Sequence, residues 1–336
     1  MAVPALHRAA SLLELQFPWT GDAQHAVLMP LHARVTEHLR SAIFSALPLE
    51  RNSRTSTTRV NIVVGMWGTD IGSEAASVTF NSLLRHTSMP VVAYVLGDRS
   101  GWDAFRRASF YTKLSAAFHV DPSASAPFQK FFRSLPWHCS RRVSPLSSDA
   151  NRFHLSAKLL LHELLPNDVD QVVVLDVGDL LFLSDVRVLL GEFHKFSSSQ
   201  VFASAIEVGP THLHYSGEGD SSSGGDAAVF WHLRGLPGVD KGLNSGVVLF
   251  DLGRVRTMAT WAGATWPQVL VDMAWRMNLQ YCGHEGNPDQ SILSAVAFAL
   301  GDRFWFELSS RWNYIPGVPW DISLSNTASD EMPELV

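Results

Sequence analysis

The chain has 336 residues, 46% hydrophobic and 17% charged, which is enough apolar sequence to bury a large core as one large α/β domain or two smaller ones. Its 26 Lys and Arg against 32 Asp and Glu give a net charge of −6, so no overall basic field draws it to nucleic acid or anionic lipid. Two cysteines, Cys139 and Cys282, exclude a disulfide framework and are compatible with one bridge or two free thiols, while no stretch reaches the roughly 18 apolar residues of a membrane span. No signal-peptide pattern opens the chain and it has no Asn-x-Ser/Thr site.

Residues 1–57 read as a helical extension (5–15 and 32–47) closed by a polar linker, RNSRTSTT, and carry no assignable chemistry. From Val60 the texture changes. VNIVVGMWG is a buried-strand run, residues 73–85 have helical spacing, and VVAYVLGD is a second buried strand. Strand, helix, strand implies parallel pairing through a right-handed crossover, with ligands bound beyond the carboxyl ends of the strands, where residues 66–72 would lie. The GMWGTDIG glycines do not give G-x-G-x-x-G, which sets aside a dinucleotide-dependent dehydrogenase. The backbone of Gly65 and Met66 and the ring of Trp67 remain candidates for contacting a nucleotide, the alternative being a strand-end turn with Trp67 in the core.

Residues 109–135 predict a strand and a variable loop. Residues 155–165, LSAKLLLHELL, predict one continuous helix stopped by Pro166. Lys158, among leucines, is by itself a surface lysine; only a neighbouring metal and phosphate site would turn it inward. Residues 171–185, QVVVLDVGDLLFLSD, then put Asp176 and Asp179 where a strand buried on both faces leaves the core, with Gly178 between them to permit a sharp turn. Converging carboxylates attract a hard divalent cation, which neutralises phosphate oxygens; a plain turn with capping aspartates has the same local pattern. Three later segments, GLNSGVVLFD (242–251), NPDQSILSA (287–295) and FELSSRWNY (306–314), likewise carry bland readings: Asn244 as a turn former, Asp289 as a helix cap, Trp312 as a core anchor.

As an ordered set over residues 60–312 these segments resemble glycosyltransferase family 8, with the closest similarity to its xylosyltransferase branch. The resemblance implies an α/β GT-A fold, a Rossmann-like nucleotide-sugar-binding domain with a mostly parallel central sheet flanked by helices, over residues 58–321, with 322–336 as a C-terminal tail. It implies Asp176 and Asp179 as the pair holding Mn²⁺ or Mg²⁺, Asn244 and Ser245 as the turn contacting the donor sugar, Asp289 and Gln290 beneath the anomeric carbon, and Lys158 near the donor. The partners implied are a UDP-sugar donor, UDP-xylose first, and a glycan or glycoprotein acceptor, with transfer retaining anomeric configuration and a Golgi or ER location. Two departures stand out. Two residues, Val177 and Gly178, separate the aspartates where the family has one, and no histidine follows Trp320, where the family carries an H-x-x-G-type segment that completes metal coordination. Truncation, or replacement by another group such as His212, His214 or His284, would account for the second.

Overall fold

In a computed structural model, the described residues are 58–67, 71–135, 149–177, 180–206, 243–276, 288–301 and 304–313. The expected extension (1–57) and tail (322–336) lie outside them, as do Cys139 and Cys282. A seven-stranded sheet runs in the order β3-β2-β1-β4-β6-β5-β7. Its strands are β1 (Val60–Met66), β2 (Val91–Gly97), β3 (Ala116–Val120), β4 (Gln171–Leu175), β5 (Phe202–Ile206), β6 (Leu243–Asp251) and β7 (Trp305–Leu308). All pairings are parallel except those of β6, which is antiparallel to both β4 and β5.

The continuous Val/Ile runs follow from helices covering both faces of the sheet. Along β1 and β4, Val63, Val172 and Val174 belong to one core while Ile62, Val64, Val173 and Leu175 belong to the other. The second core is closed by α1 (Ile71–His86), the expected crossover helix, through Ala76, Phe80 and Leu83, and by α2 (Arg99–Arg107) through Phe105. Residues 109–135 hold the expected strand, β3, but the rest is ordered rather than a variable loop: α3 (Ala126–Ser134) opens with Ser125 capping Phe128 N and a proline in its first turn.

The single helix expected over 155–165 is a second correction. It is three pieces: α4 (Asp149–Ala157), a 3₁₀ turn over Lys158–Leu160, and α5 (Leu161–Leu164), with Leu160 at φ −114°, ψ 29°, off the helical path. The 3₁₀ turn buries Leu159 and Leu160, and Trp266 Nε1 donates to Leu159 O at 2.8 Å. At the end of α5 and beyond it, the Arg256 guanidinium donates to the carbonyls of His162, Leu165, Pro166, Asn167 and Val169, tying the segment that leads into β4 to the helix that carries Arg256.

Four more helices complete the fold: α6 (Val186–Gly191), α7 (Leu252–Ala262) and α8 (Trp266–Arg276) precede α9 (Pro288–Leu300), which packs against the first residues of β6. The register fixes where a ligand can sit. Val64 is level with Leu175, and Leu175 with Val247, so the last residues of β1 and β4 and the first residues of β6 share one edge of the sheet. Among the described residues, no helix is long and apolar enough to cross a membrane.

Candidate active site at the strand ends

Lys158 is not a surface residue. It is 5% exposed, its Nζ donates to Asp176 Oδ1, and the same Nζ lies 3.2 Å from Asp289 Oδ2. The 3₁₀ turn places it: a lysine on a regular surface helix would carry its ammonium to water, whereas here its neighbours pack into the core. Burial acts to lower the Lys158 pKa, and the two carboxylates more than reverse that, leaving it above the ordinary lysine value and the ammonium charged. Asp289 is 1% exposed, in the first turn of α9, where the helix N-terminus favours negative charge. Its burial pushes its pKa up against the pull of the Lys158 ammonium. Lys158 is therefore what offsets the buried charge.

The next residue, Gln290, accepts a hydrogen bond from Ser245 Oγ at 3.3 Å, and Ser294 Oγ accepts one from Leu243 N at 3.0 Å, which fastens α9 to the start of β6. Asp176 extends the ladder by one bond, its N donating to Gly246 O at 2.9 Å. Asn244 takes the turn role, its Oδ1 accepting from Gly246 N at 2.8 Å. Lys158, Asp176, Asn244, Ser245, Asp289 and Gln290 thus meet at the sheet edge that the sequence reading selected.

The second wall is aromatic. Trp67 stacks on His154 with ring centroids 4.4 Å apart, and Trp67 Nε1 and His154 Nδ1 are both buried without a hydrogen-bond partner. The Trp67 ring lies over Gly65, where an added Cβ would come 2.2 Å from it. An added Cβ at Gly97 or Gly101 would lie 1.9 or 2.1 Å from Met66 O, so only glycine lets β2 and α2 close on the end of β1. The Met66 side chain is buried in the core, which leaves its backbone as the part that can face a ligand. Burial lowers the His154 pKa to about 4, against the opposing charges of Asp98 and Asp121, so the imidazole is neutral at physiological pH. His154 escaped the sequence reading. It precedes Lys158 by one helical turn in FHLSAK, and that spacing is the signal that could have exposed it.

Asp176 keeps 34% of its side chain exposed, a hard oxygen donor at a strand end of the kind a divalent cation takes. Its expected partner Asp179 lies outside the described residues, as do His212, His214 and His284. Among the described residues no three His, Cys, Asp or Glu side chains are grouped to hold a metal, so what this strand end offers a divalent ion is the single, partly exposed carboxylate of Asp176.

No family model matches the chain. It is 25% identical over 336 residues to xylosyl- and glucuronyltransferase LARGE1 of Mus musculus, covering 97% of this chain and 38% of that protein. It is 26% identical over 215 residues to xyloside xylosyltransferase 1 of Homo sapiens, covering 60% of this chain and 48% of that one. A glycosyltransferase-like protein LARGE of Caenorhabditis elegans is 26% identical over 165 residues, 49% of this chain and 23% of that protein. The chain therefore spans less than half the length of these curated relatives. Among solved structures, the apo form of mouse xyloside xylosyltransferase 1 superposes with a TM-score of 0.57 at 16% identity, covering 82% of this chain and 96% of that one. The structural likeness shows a GT-A fold, and in sequence the chain is similar, at 25–26% identity, to xyloside xylosyltransferase and LARGE proteins.

Proposed function

We propose that the protein transfers a sugar, xylose first, from a UDP-sugar to a glycan or glycoprotein, with retention of anomeric configuration and with Mn²⁺ or Mg²⁺ held by Asp176 and Asp179. The observation that carries this reading is the buried Lys158 bridging Asp176 and Asp289 beside the Ser245–Gln290 pair. Breaking the bond between the anomeric carbon and the diphosphate oxygen develops positive charge on the sugar and negative charge on the leaving group. When bound, the cation would neutralise part of that negative charge.

Lys158 supplies a second, fixed positive charge. An ammonium has three N–H groups, and with two directed to Asp176 and Asp289 one is left for a phosphate or sugar oxygen. Asp289, too buried to meet solvent, acts by aiming that ammonium. Gln290, its amide oxygen held by Ser245, presents a neutral dipole suited to an oxocarbenium-like centre without forming a tight ground-state contact. Trp67, backed by His154, offers a flat apolar surface for a uracil ring.

The test is UDP release from UDP-xylose, UDP-glucose and UDP-galactose with Mn²⁺, alongside sugar transfer to a xyloside acceptor. The expected result is metal-dependent release and transfer, fastest with UDP-xylose, and a turnover at least about tenfold lower in Gln290→Ala at near-parental UDP-sugar affinity. Faster release from UDP-glucose or UDP-galactose would reassign the donor. Mn²⁺-dependent UDP binding without turnover would replace the enzyme with a nucleotide-sugar-binding relic, and the absence of such binding would sink both readings.

A further inference from the structure

The segment that follows β7, in which the sequence marked Trp312 as a core anchor and gave Asn313 no role, builds a side of this site. Ser310–Trp312 forms a 3₁₀ turn, closed by Trp312 N donating to Ser309 O and Asn313 N to Ser310 O, each at 3.0 Å. The turn is firmly anchored. Trp312 is fully buried, the Arg311 guanidinium lies 5.2 Å from its ring centroid, and Arg311 Nη2 is 3.9 Å from the buried Glu192, which also binds Lys195. What this turn presents is Asn313, 7% exposed, with Nδ2 lacking any hydrogen-bond partner.

That amide lies at the strand ends. A Cβ built on Gly246 would be 3.1 Å from Asn244 Oδ1, 3.2 Å from Asn313 Nδ2 and 3.5 Å from Asn313 Oδ1, so the two amides close together over Gly246. Gly246 is also the residue whose carbonyl receives Asp176 N. A buried NH₂ with nothing to donate to is costly in the free protein, and a rigid turn that holds it beside the ligand-binding edge gives that cost a use.

We infer that Asn313 Nδ2 donates a hydrogen bond to a hydroxyl of the donor's glycosyl group, making Asn313 a specificity-determining residue; this rests on the nucleotide-sugar reading above. The chemistry separates sugar from diphosphate. A neutral amide grouped with the neutral amide of Asn244 complements a neutral hydroxyl, whereas the charged oxygens of a diphosphate are matched by Lys158 and a cation at Asp176. Loss of one buried hydrogen bond to a sugar hydroxyl, with the partner left unpaired, weakens binding by about five- to tenfold.

The experiment is calorimetric titration of UDP and of UDP-xylose, both with Mn²⁺, into the parent, Asn313→Ala and Asn313→Leu, with melting temperatures recorded. Leucine nearly keeps the shape while removing the unmet donor, so Asn313→Leu should melt at or above the parent temperature. The expected result is UDP affinity within about twofold of the parent in both variants and UDP-xylose affinity lower by about five- to tenfold. Equal loss for UDP and UDP-xylose would make Asn313 structural and overturn the inference, as would unchanged UDP-xylose affinity in Asn313→Leu. A parent that binds UDP with Mn²⁺ but gains nothing from the sugar would overturn the inference alone, and a parent that binds neither would overturn it together with the nucleotide-sugar reading.

Discussion

The two walls of the strand-end site satisfy their polar atoms in opposite ways. On the β4–β6 side, Lys158 is matched inside the protein by Asp176 and Asp289, and Ser245 by Gln290, before any ligand arrives. On the β1 side, Trp67 and His154 meet face to face and each keeps a buried nitrogen without a partner. The ionic wall is thus both structure and site, because removing Lys158 strands the buried charge of Asp289. The aromatic wall is a surface resting on a core, and removing its ring takes away contact area more than it disturbs charge balance.

Replacing Lys158 with Met should break this contrast most severely. It leaves Asp289 buried beside Asp176 with no counter-charge, and breaking a buried pair in this way costs about 3–5 kcal/mol. Urea denaturation of the variant should show that loss; a change below about 1 kcal/mol would mean that the ion pair is not buried as described. Arg256→Met attacks the same wall from behind. It takes the guanidinium from five carbonyls between His162 and Val169, of which Pro166 O keeps the Val169 N–H, and should cost roughly 2–3 kcal/mol while leaving Trp67 and His154 in place. The check is again denaturation, with near-ultraviolet circular dichroism reporting on the aromatic pair.

The aromatic wall should show itself through pH. The His154 pKa falls from 6.5 unfolded to about 4 folded. Above pH 6.5 both states hold a neutral ring, so His154 contributes no pH dependence there. As the pH drops below that value the unfolded chain takes up a proton that the folded one refuses, and stability falls until the folded ring also titrates near 4. The span corresponds to about 3 kcal/mol at most. His162, whose pKa burial also lowers to about 4, adds a parallel loss, so His154→Phe should flatten the stability profile between pH 4 and 6.5 only in part. An unaltered slope in that variant would remove His154 from the account. Smallest of all, Trp67→Ala should weaken uridine binding by roughly 1 kcal/mol and leave Mn²⁺ dependence intact, readable in the same titrations.

The contrast also explains what could be read from the chain. The buried runs of β1, β2 and β4 declare themselves because helices cover both faces of the sheet, and with them the strand-end position of Asp176 and of the β6 turn. Taken by itself Lys158 read as a surface residue, and only the family resemblance put it near a donor, because its burial depends on Asp176 and Asp289, neither a sequence neighbour, and on a 3₁₀ turn hidden inside a leucine-rich run that has good helix propensity throughout. The reversal of β6 was equally invisible, since a buried strand has the same composition in either direction. His154 and Asn313 went unassigned for one reason: each is an unremarkable residue until packing leaves one of its nitrogens without a partner.

The most direct test of the ionic wall as a metal-assisted nucleotide-sugar site is calorimetric titration of UDP into the parent and Asp176→Asn, with and without Mn²⁺. The substitution is mild structurally, because Lys158 retains Asp289 as its counter-ion. The account predicts unchanged melting, Mn²⁺-enhanced UDP affinity in the parent, and loss of that enhancement in Asp176→Asn. The same Mn²⁺-dependent affinity in both proteins would contradict it.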